Sequence, residues 1–358
     1  MNQLPAPPRQ QTWSQRLLAP GRWLAENVGQ RLSAVPTPVW AVPLGLLVAA
    51  LPFLTNSYWL RVANFLGIYI LLGLSLDLMV GHTGIFNLGH AAFIAVGAYT
   101  AAILSSTYGL PFWITLPAAA LAAALAGILV ARPIIHLRGD YLMIVTIGFG
   151  EIVRIALVQN VFGMTGGPNG ILGIQRPAFF GFTVRTMTHY YYLIGLFVLL
   201  TIIFLQRLVH SRIGRALHYV REDQIAAEAM GIDTHRVKLL AFALGAGLGG
   251  VGGALYAHML TIIAPETFSL MQSVIVFSIV VLGGPGSIPG IIVGSIGMIV
   301  LPEIFREFAE YRMLVFGAAM VAMMVFRPAG LWPSRAWQLK SGREEVEPEP
   351  VASEAATD

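Results

Sequence analysis

Gly214-Arg215-Ala216-Leu217-His218-Tyr219-Val220-Arg221-Glu222-Asp223-Gln224-Ile225-Ala226-Ala227-Glu228-Ala229-Met230-Gly231-Ile232-Asp233 is a charged, alanine-rich stretch set between two long apolar segments. Glu222, Asp223 and Gln224 suit the unpaired amides at a helix start, Ala226 to Met230 are strong helix formers, and Gly231 suits a left-handed stop. Asp233 or Thr234 can then cap the helix that follows. The stretch predicts a short helix lying across two membrane spans on the cytoplasmic side, with small apolar residues and charges on its exposed surface. Such a lever can enter a groove on a soluble partner.

The rest of the chain supplies the membrane. Of 358 residues, 56% are hydrophobic and 11% charged, with a mean hydropathy of +0.72, whereas soluble domains average about a quarter charged. There is no cysteine, which removes disulfides, thiolate nucleophiles and Cys-ligated metals. The net charge of +4 comes from arginines in short stretches between apolar runs, which mark topology and not a nucleic-acid surface.

A spanning helix needs roughly 20 apolar residues. Candidates fall at 39–56, 60–80, 88–106, 112–131, 141–160, 190–207, 238–258, 270–283, 290–306 and 311–327. The expected fold is all-α, a polytopic membrane protein of about eight to ten spans with a cytoplasmic coupling helix. Arg132, Arg138, Arg207, Arg212, Arg215, Arg221, Arg236, Lys238, Arg327, Arg335, Lys340 and Arg343 then lie inside, leaving mainly Arg61, Arg176, Arg185, Arg306 and Arg312 outside.

Three regions follow. Residues 1–38 form a cytoplasmic tail with no apolar core of the signal-peptide kind; it is either flexible or a surface-lying helix on Trp13, Leu17, Leu24, Val28 and Leu32. Residues 39–333 form the membrane domain, with its loop at 212–236. Residues 334–358 form a cytoplasmic tail lacking the apolar residues to fold. Within the membrane domain, Gly283-Gly284-Pro285-Gly286-Ser287-Ile288-Pro289-Gly290 reads either as a tight turn at the inner surface or as a broken helix beside a transport path. Small residues recurring through Gly245 to Gly253 allow close helix packing, within this chain or against a second one.

With these segments in place, the chain resembles the permeases of ATP-binding-cassette importers. Ala227-Glu228-Ala229-Met230-Gly231 is a compressed form of their coupling motif, and residues 214–233 as a whole resemble branched-chain amino-acid permeases of the LivM type. Gly81-His82-Thr83-Gly84, Asn87 to Phe93, Gly97 to Thr100, Leu137 to Tyr141, Thr146 to Arg154, Thr165 to Gly170, Gly283 to Gly286 and Phe326 to Leu331 extend the likeness over about residues 60–333. Asp77 departs from it, because an uncharged amide is expected there.

The resemblance implies a second, LivH-like permease subunit, a pair of cytoplasmic ATPase subunits and an external substrate-binding protein, in the bacterial inner membrane. The ATPases would use ATP and Mg, and this chain would bind no cofactor and no metal. They would grip Arg221, Glu222, Asp223, Ala227, Glu228, Ala229 and Gly231. The substrates would be branched-chain amino acids, with urea, short-chain amides or other small organic acids as the alternative. The chain contains no phosphate loop: its only lysines are Lys238, after Val237, and Lys340, after Leu339. No intramembrane protease motif is present either, since Leu137-Arg138-Gly139-Asp140 lacks the first glycine of Gly-x-Gly-Asp. An ion-coupled secondary transporter would not need the 214–233 loop.

Polar groups in the spans are costly and so informative. Glu151 and Arg154 share a helix face some 15 Å beyond Asp140, as an ion pair, an interhelical clamp or a substrate contact; Asp77 could instead partner Arg154. His82, Thr83, Asn87 and His90 cluster before the third span as a gate or as helix caps, and Thr146 joins the candidate path residues. Thr165, Gly166, Gly167 and Asn169 lie outside, in an ordinary turn or a dock for the delivery protein.

Overall fold

The computed structural model describes residues 50–53, 55–137, 139–161, 163–179, 182–304, 317, 321 and 330–332. The chain divides into compact units at Met1–Asn56 and Ser57–Asp358. Of the first, 50–53 are helical. The expected tails at 1–38 and 334–358 and most of the spans at 39–56 and 311–327 lie outside the described residues.

Among its described residues the second unit is built of helices, with short strand pairs and 3-10 turns in the connections. Its long helices are α1 (Ser57–Thr83), α2 (His90–Ser106), α3 (Phe112–Ile134), α4 (Asp140–Val158) and α5 (Met187–His210). After these come α6 (Arg212–Glu222), α7 (Gln224–Ala229), α8 (Thr234–Leu260), α9 (Leu270–Gly283) and α10 (Ile288–Ile304). α1, α3, α4, α5 and α8 are each long and apolar enough to cross a membrane, and α2, α9 and α10 are shorter apolar helices. The chain is thus a multi-pass membrane protein.

α8 forms the axis of the bundle, packed on α1, α2 and α3. Its glycines make that possible. A Cβ on Gly250 would meet the Ala123 Cβ and Ala119 O of α3, while one on Gly97 of α2 would run into the Gly250 backbone. The small-residue run at 245–253 is therefore consumed by packing within this chain. Polar side chains cross-link the bundle interior: Ser75 Oγ is 2.7 Å from His90 Nε2, and Tyr190 donates to His258 O at 2.8 Å.

Successive connections alternate between two faces. Residues 84–89, the α6–α7 loop and the α9–α10 turn meet on one face, where Arg221 bonds Gly81 O and the Gly286 amide bonds Asp77. On the opposite face, β1 (Ile171–Leu172) pairs antiparallel with β4 (Ile262–Ile263), β2 (Ala178–Phe179) with β3 (Phe182–Thr183), and a 3-10 turn at Pro265–Phe268 leads into α9.

Candidate functional site

Residues 214–233 fold as two helices. Ser211 caps α6 by accepting the Gly214 amide at 3.2 Å, and Gly214, Leu217 and Val220 turn one side of α6 into the bundle. The Asp223 carboxylate ends α6 and starts α7, accepting the amides of Ile225 at 2.8 Å and Ala226 at 3.1 Å. Gly231 sits at φ +81°, the left-handed stop, and Asp233 Oδ1 accepts the Arg236 amide at 3.0 Å to open α8.

The expected contact residues point two ways. Glu222, Asp223, Glu228, Ala229 and Gly231 are exposed, together with Ile225 and Met230. Ala227 is fully buried, because it sits on the side of α7 that packs inward. Arg221 also turns inward, and its guanidinium donates to Gly81 O. Glu228 Oε1 holds the loop together, accepting from Thr234 Oγ1 at 2.6 Å and Gln224 Nε2 at 2.9 Å, while Lys238 donates to Gln224 Oε1 at 2.7 Å.

Arg221 lands on a buried junction. Asp77 is fully buried in α1; its Oδ1 accepts the Gly286 amide at 2.8 Å and its Oδ2 lies 3.6 Å from His82 Nε2. Asp77 thus engages the α9–α10 turn and not Arg154, which is held elsewhere. At Gly81 a Cβ would collide with both the Asp77 carboxylate and the Gly286 amide, so α1 and the turn can meet only at glycine. Residues 331 and 332 close over the same turn, with Leu331 N donating to Leu282 O at 2.9 Å and Trp332 N to Gly283 O at 3.0 Å. The Gly283–Gly290 segment is a tight turn tied to this junction.

The path candidates separate into two groups. Thr83 donates to Leu78 O at 3.2 Å, Asn87 Oδ1 accepts the Gly89 amide at 2.9 Å, and Thr146 accepts the Leu88 amide at 3.2 Å, so these residues cap and tie the 84–89 connection. Beside them a cleft of about 170 Å³ is lined by Thr83, Phe86, Leu142, Arg221, Gln224 and Lys238 among others. Glu151 and Arg154 lie toward the opposite face: Arg154 Nε is 3.0 Å from both Glu151 oxygens, and Nη1 reaches Glu266 at 3.0 Å. Glu266 was not singled out from the sequence; a lone acid between two apolar helices was its signal.

The candidate dock is a closed turn. Thr165 is buried, with its amide and hydroxyl on Asn160 Oδ1 at 2.8 and 2.9 Å, and Gly167 is buried too. Gly166 and Asn169 are exposed.

Residues 58–324 match the family model described as the branched-chain amino acid transport system / permease component. The chain is 42% identical over 331 residues to the high-affinity branched-chain amino acid transport system permease protein LivM of Escherichia coli (strain K12), covering 86% of this chain and 78% of that protein. It is 40% identical, with the same coverage, to LivM of Salmonella typhimurium. Identity to the Escherichia coli (strain K12) permease protein LivH is 24% over 303 residues, covering 78% and 92% respectively. No solved structure matches.

Proposed function

The chain belongs to the family of branched-chain amino acid transport permeases, and from that premise we propose how its architecture moves a substrate. It is a permease subunit of an ATP-binding-cassette importer for branched-chain amino acids, and it hydrolyses no ATP itself. The 42% identity to LivM favours these substrates over urea, amides or other organic acids.

In the proposed assembly a LivH-like permease completes the path and a pair of ATPases, using ATP and Mg, grips the exposed side of α6 and α7. The face carrying α6 and α7 is then cytoplasmic, in an inner membrane, and an external binding protein delivers substrate to the opposite face near Gly166 and Asn169. The observation that carries the mechanism is the fastening of α6 to the bundle. Arg221 ties α6 to the end of α1, and Asp77 ties α1 to the α9–α10 turn. When the ATPases close, their push on α7 passes to α1 and α9 together and switches the path between outward-open and inward-open arrangements.

The test is to co-purify the complex, reconstitute it in liposomes and measure which ligands of its binding protein stimulate ATP hydrolysis and enter the vesicles. Leucine, isoleucine and valine are the expected ligands. Stimulation confined to urea or amides would overturn the substrate assignment.

A further inference from the structure

Glu151 lies in α4, about 16 Å from the Asp140 end and about 10 Å from the Val158 end, and thus at hydrocarbon depth. Yet its side chain is 44% exposed in this chain, Arg154 is 22% exposed, and Glu266 is 72% exposed. Charges at that depth do not face lipid; they face a wet cavity or another protein. The neighbouring backbone supports the same reading. α9 has 14 residues and is about 21 Å long, shorter than the hydrocarbon, so the short strand and 3-10 turn just before it also lie below the membrane surface. Irregular backbone at that depth lines water or is covered by protein.

The charges do not balance. Arg154 is, among the described residues, the one cation within ion-pair reach of either Glu151 or Glu266, so one guanidinium serves two carboxylates. A structural clamp between α4 and the 3-10 turn would need a single carboxylate; the second is left to pair with the cationic end of a bound molecule. Beside it the first turn of α9 exposes Leu270 and Met271.

We propose that Glu151, Arg154 and Glu266 form a subsite for the charged ends of a zwitterionic α-amino acid. The ammonium pairs with Glu266 and Glu151, the carboxylate pairs with Arg154, and the branched side chain lies against the apolar start of α9. This rests on the branched-chain amino-acid reading of the path.

The chain contains no cysteine, which makes labelling direct. In the reconstituted complex, Ser269→Cys is treated from outside with a membrane-impermeant maleimide. Leucine is expected to slow the reaction, isopentylamine to slow it less, and 4-methylpentanoate or sodium chloride at equal concentration to leave it unchanged. Adding Glu266→Gln should raise the leucine concentration for half protection, and the KM of uptake, about tenfold or more. An unlabelled Ser269→Cys, no protection by leucine, or equal protection by 4-methylpentanoate would overturn the subsite. So would full recovery of uptake in the swap Arg154→Glu with Glu266→Arg, because a clamp survives that exchange and a recognition site does not. If the Glu266→Gln complex fails to assemble, protection in the Ser269→Cys background decides alone. Leucine uptake by the unsubstituted complex reports on the substrate assignment, and the response to Glu266→Gln reports on the subsite.

Discussion

The Arg221 guanidinium donates to the carbonyl of Gly81 across 140 residues of sequence, fixing the end of α6 to the last turn of α1. Gly81 is itself pressed against Asp77 and Gly286, so one cation on the loop reaches the junction of three elements.

Removing that cation should separate the ATPase cycle from transport. A hydrogen bond from a charged donor contributes about 1.5–3 kcal/mol, enough for a tenfold shift between coupled states. Arg221→Ala is expected to lower the leucine carried per ATP hydrolysed at least about fivefold, while the complex still purifies. An unchanged ratio of uptake to hydrolysis would remove Arg221 from the mechanism.

Asp77 should tolerate loss of charge better than loss of its acceptor. In Asp77→Asn the amide oxygen can still accept the Gly286 N–H, whereas Asp77→Leu leaves that buried donor unpaired at a cost of about 1–3 kcal/mol. Thermal unfolding of the purified complex is expected to rank the unsubstituted chain and Asp77→Asn together, with Asp77→Leu clearly lower. Equal stability of the two variants would contradict the role given to the carboxylate.

Glu228 combines an internal bond with an exposed charge. Glu228→Gln keeps an oxygen for Thr234 and Gln224, so its loop should hold its shape, while Glu228→Arg presents the opposite charge to the ATPases. The reversal is expected to abolish most ATP-driven uptake without unfolding the protein. Normal uptake and normal binding-protein-stimulated hydrolysis in Glu228→Arg would count against this surface as the motor contact.

The bundle axis should be intolerant of a single methyl group at its closest contact. Gly250→Ala forces Ala123 and the α3 backbone apart, at about 1–3 kcal/mol by the usual cost of overpacking. Gly195→Ala on α5 meets nothing within 4 Å and should change stability by no more than about 0.5 kcal/mol. Chemical denaturation of the two variants in detergent provides the comparison.

The sequence marks features whose causes are local. The helices at 57–83 through 288–304 follow from apolar runs, the stop at Gly231 and start at Asp233 from backbone chemistry, and the Glu151–Arg154 pair from a spacing of three. Ser211 preceding Arg212 was the signal for α6 as a separate helix, but without the packing of Leu217 and Val220 it was not distinctive. Contacts between distant segments were not legible. Glu266 meets Arg154 across 112 residues, and the partner of Asp77 is a backbone amide, which has no side chain to announce it. Gly97 and Gly250 likewise reveal their fit only once α2 and α8 are side by side.

The shortness of α9 has one more consequence. A helix of this length bends little, so a displacement imposed at Gly284 reaches Ser269 almost undiminished. In the proposed assembly, the motor's stroke at one end and the rearrangement of the proposed subsite at the other are then not events relayed in sequence but the two ends of one strut moving at once.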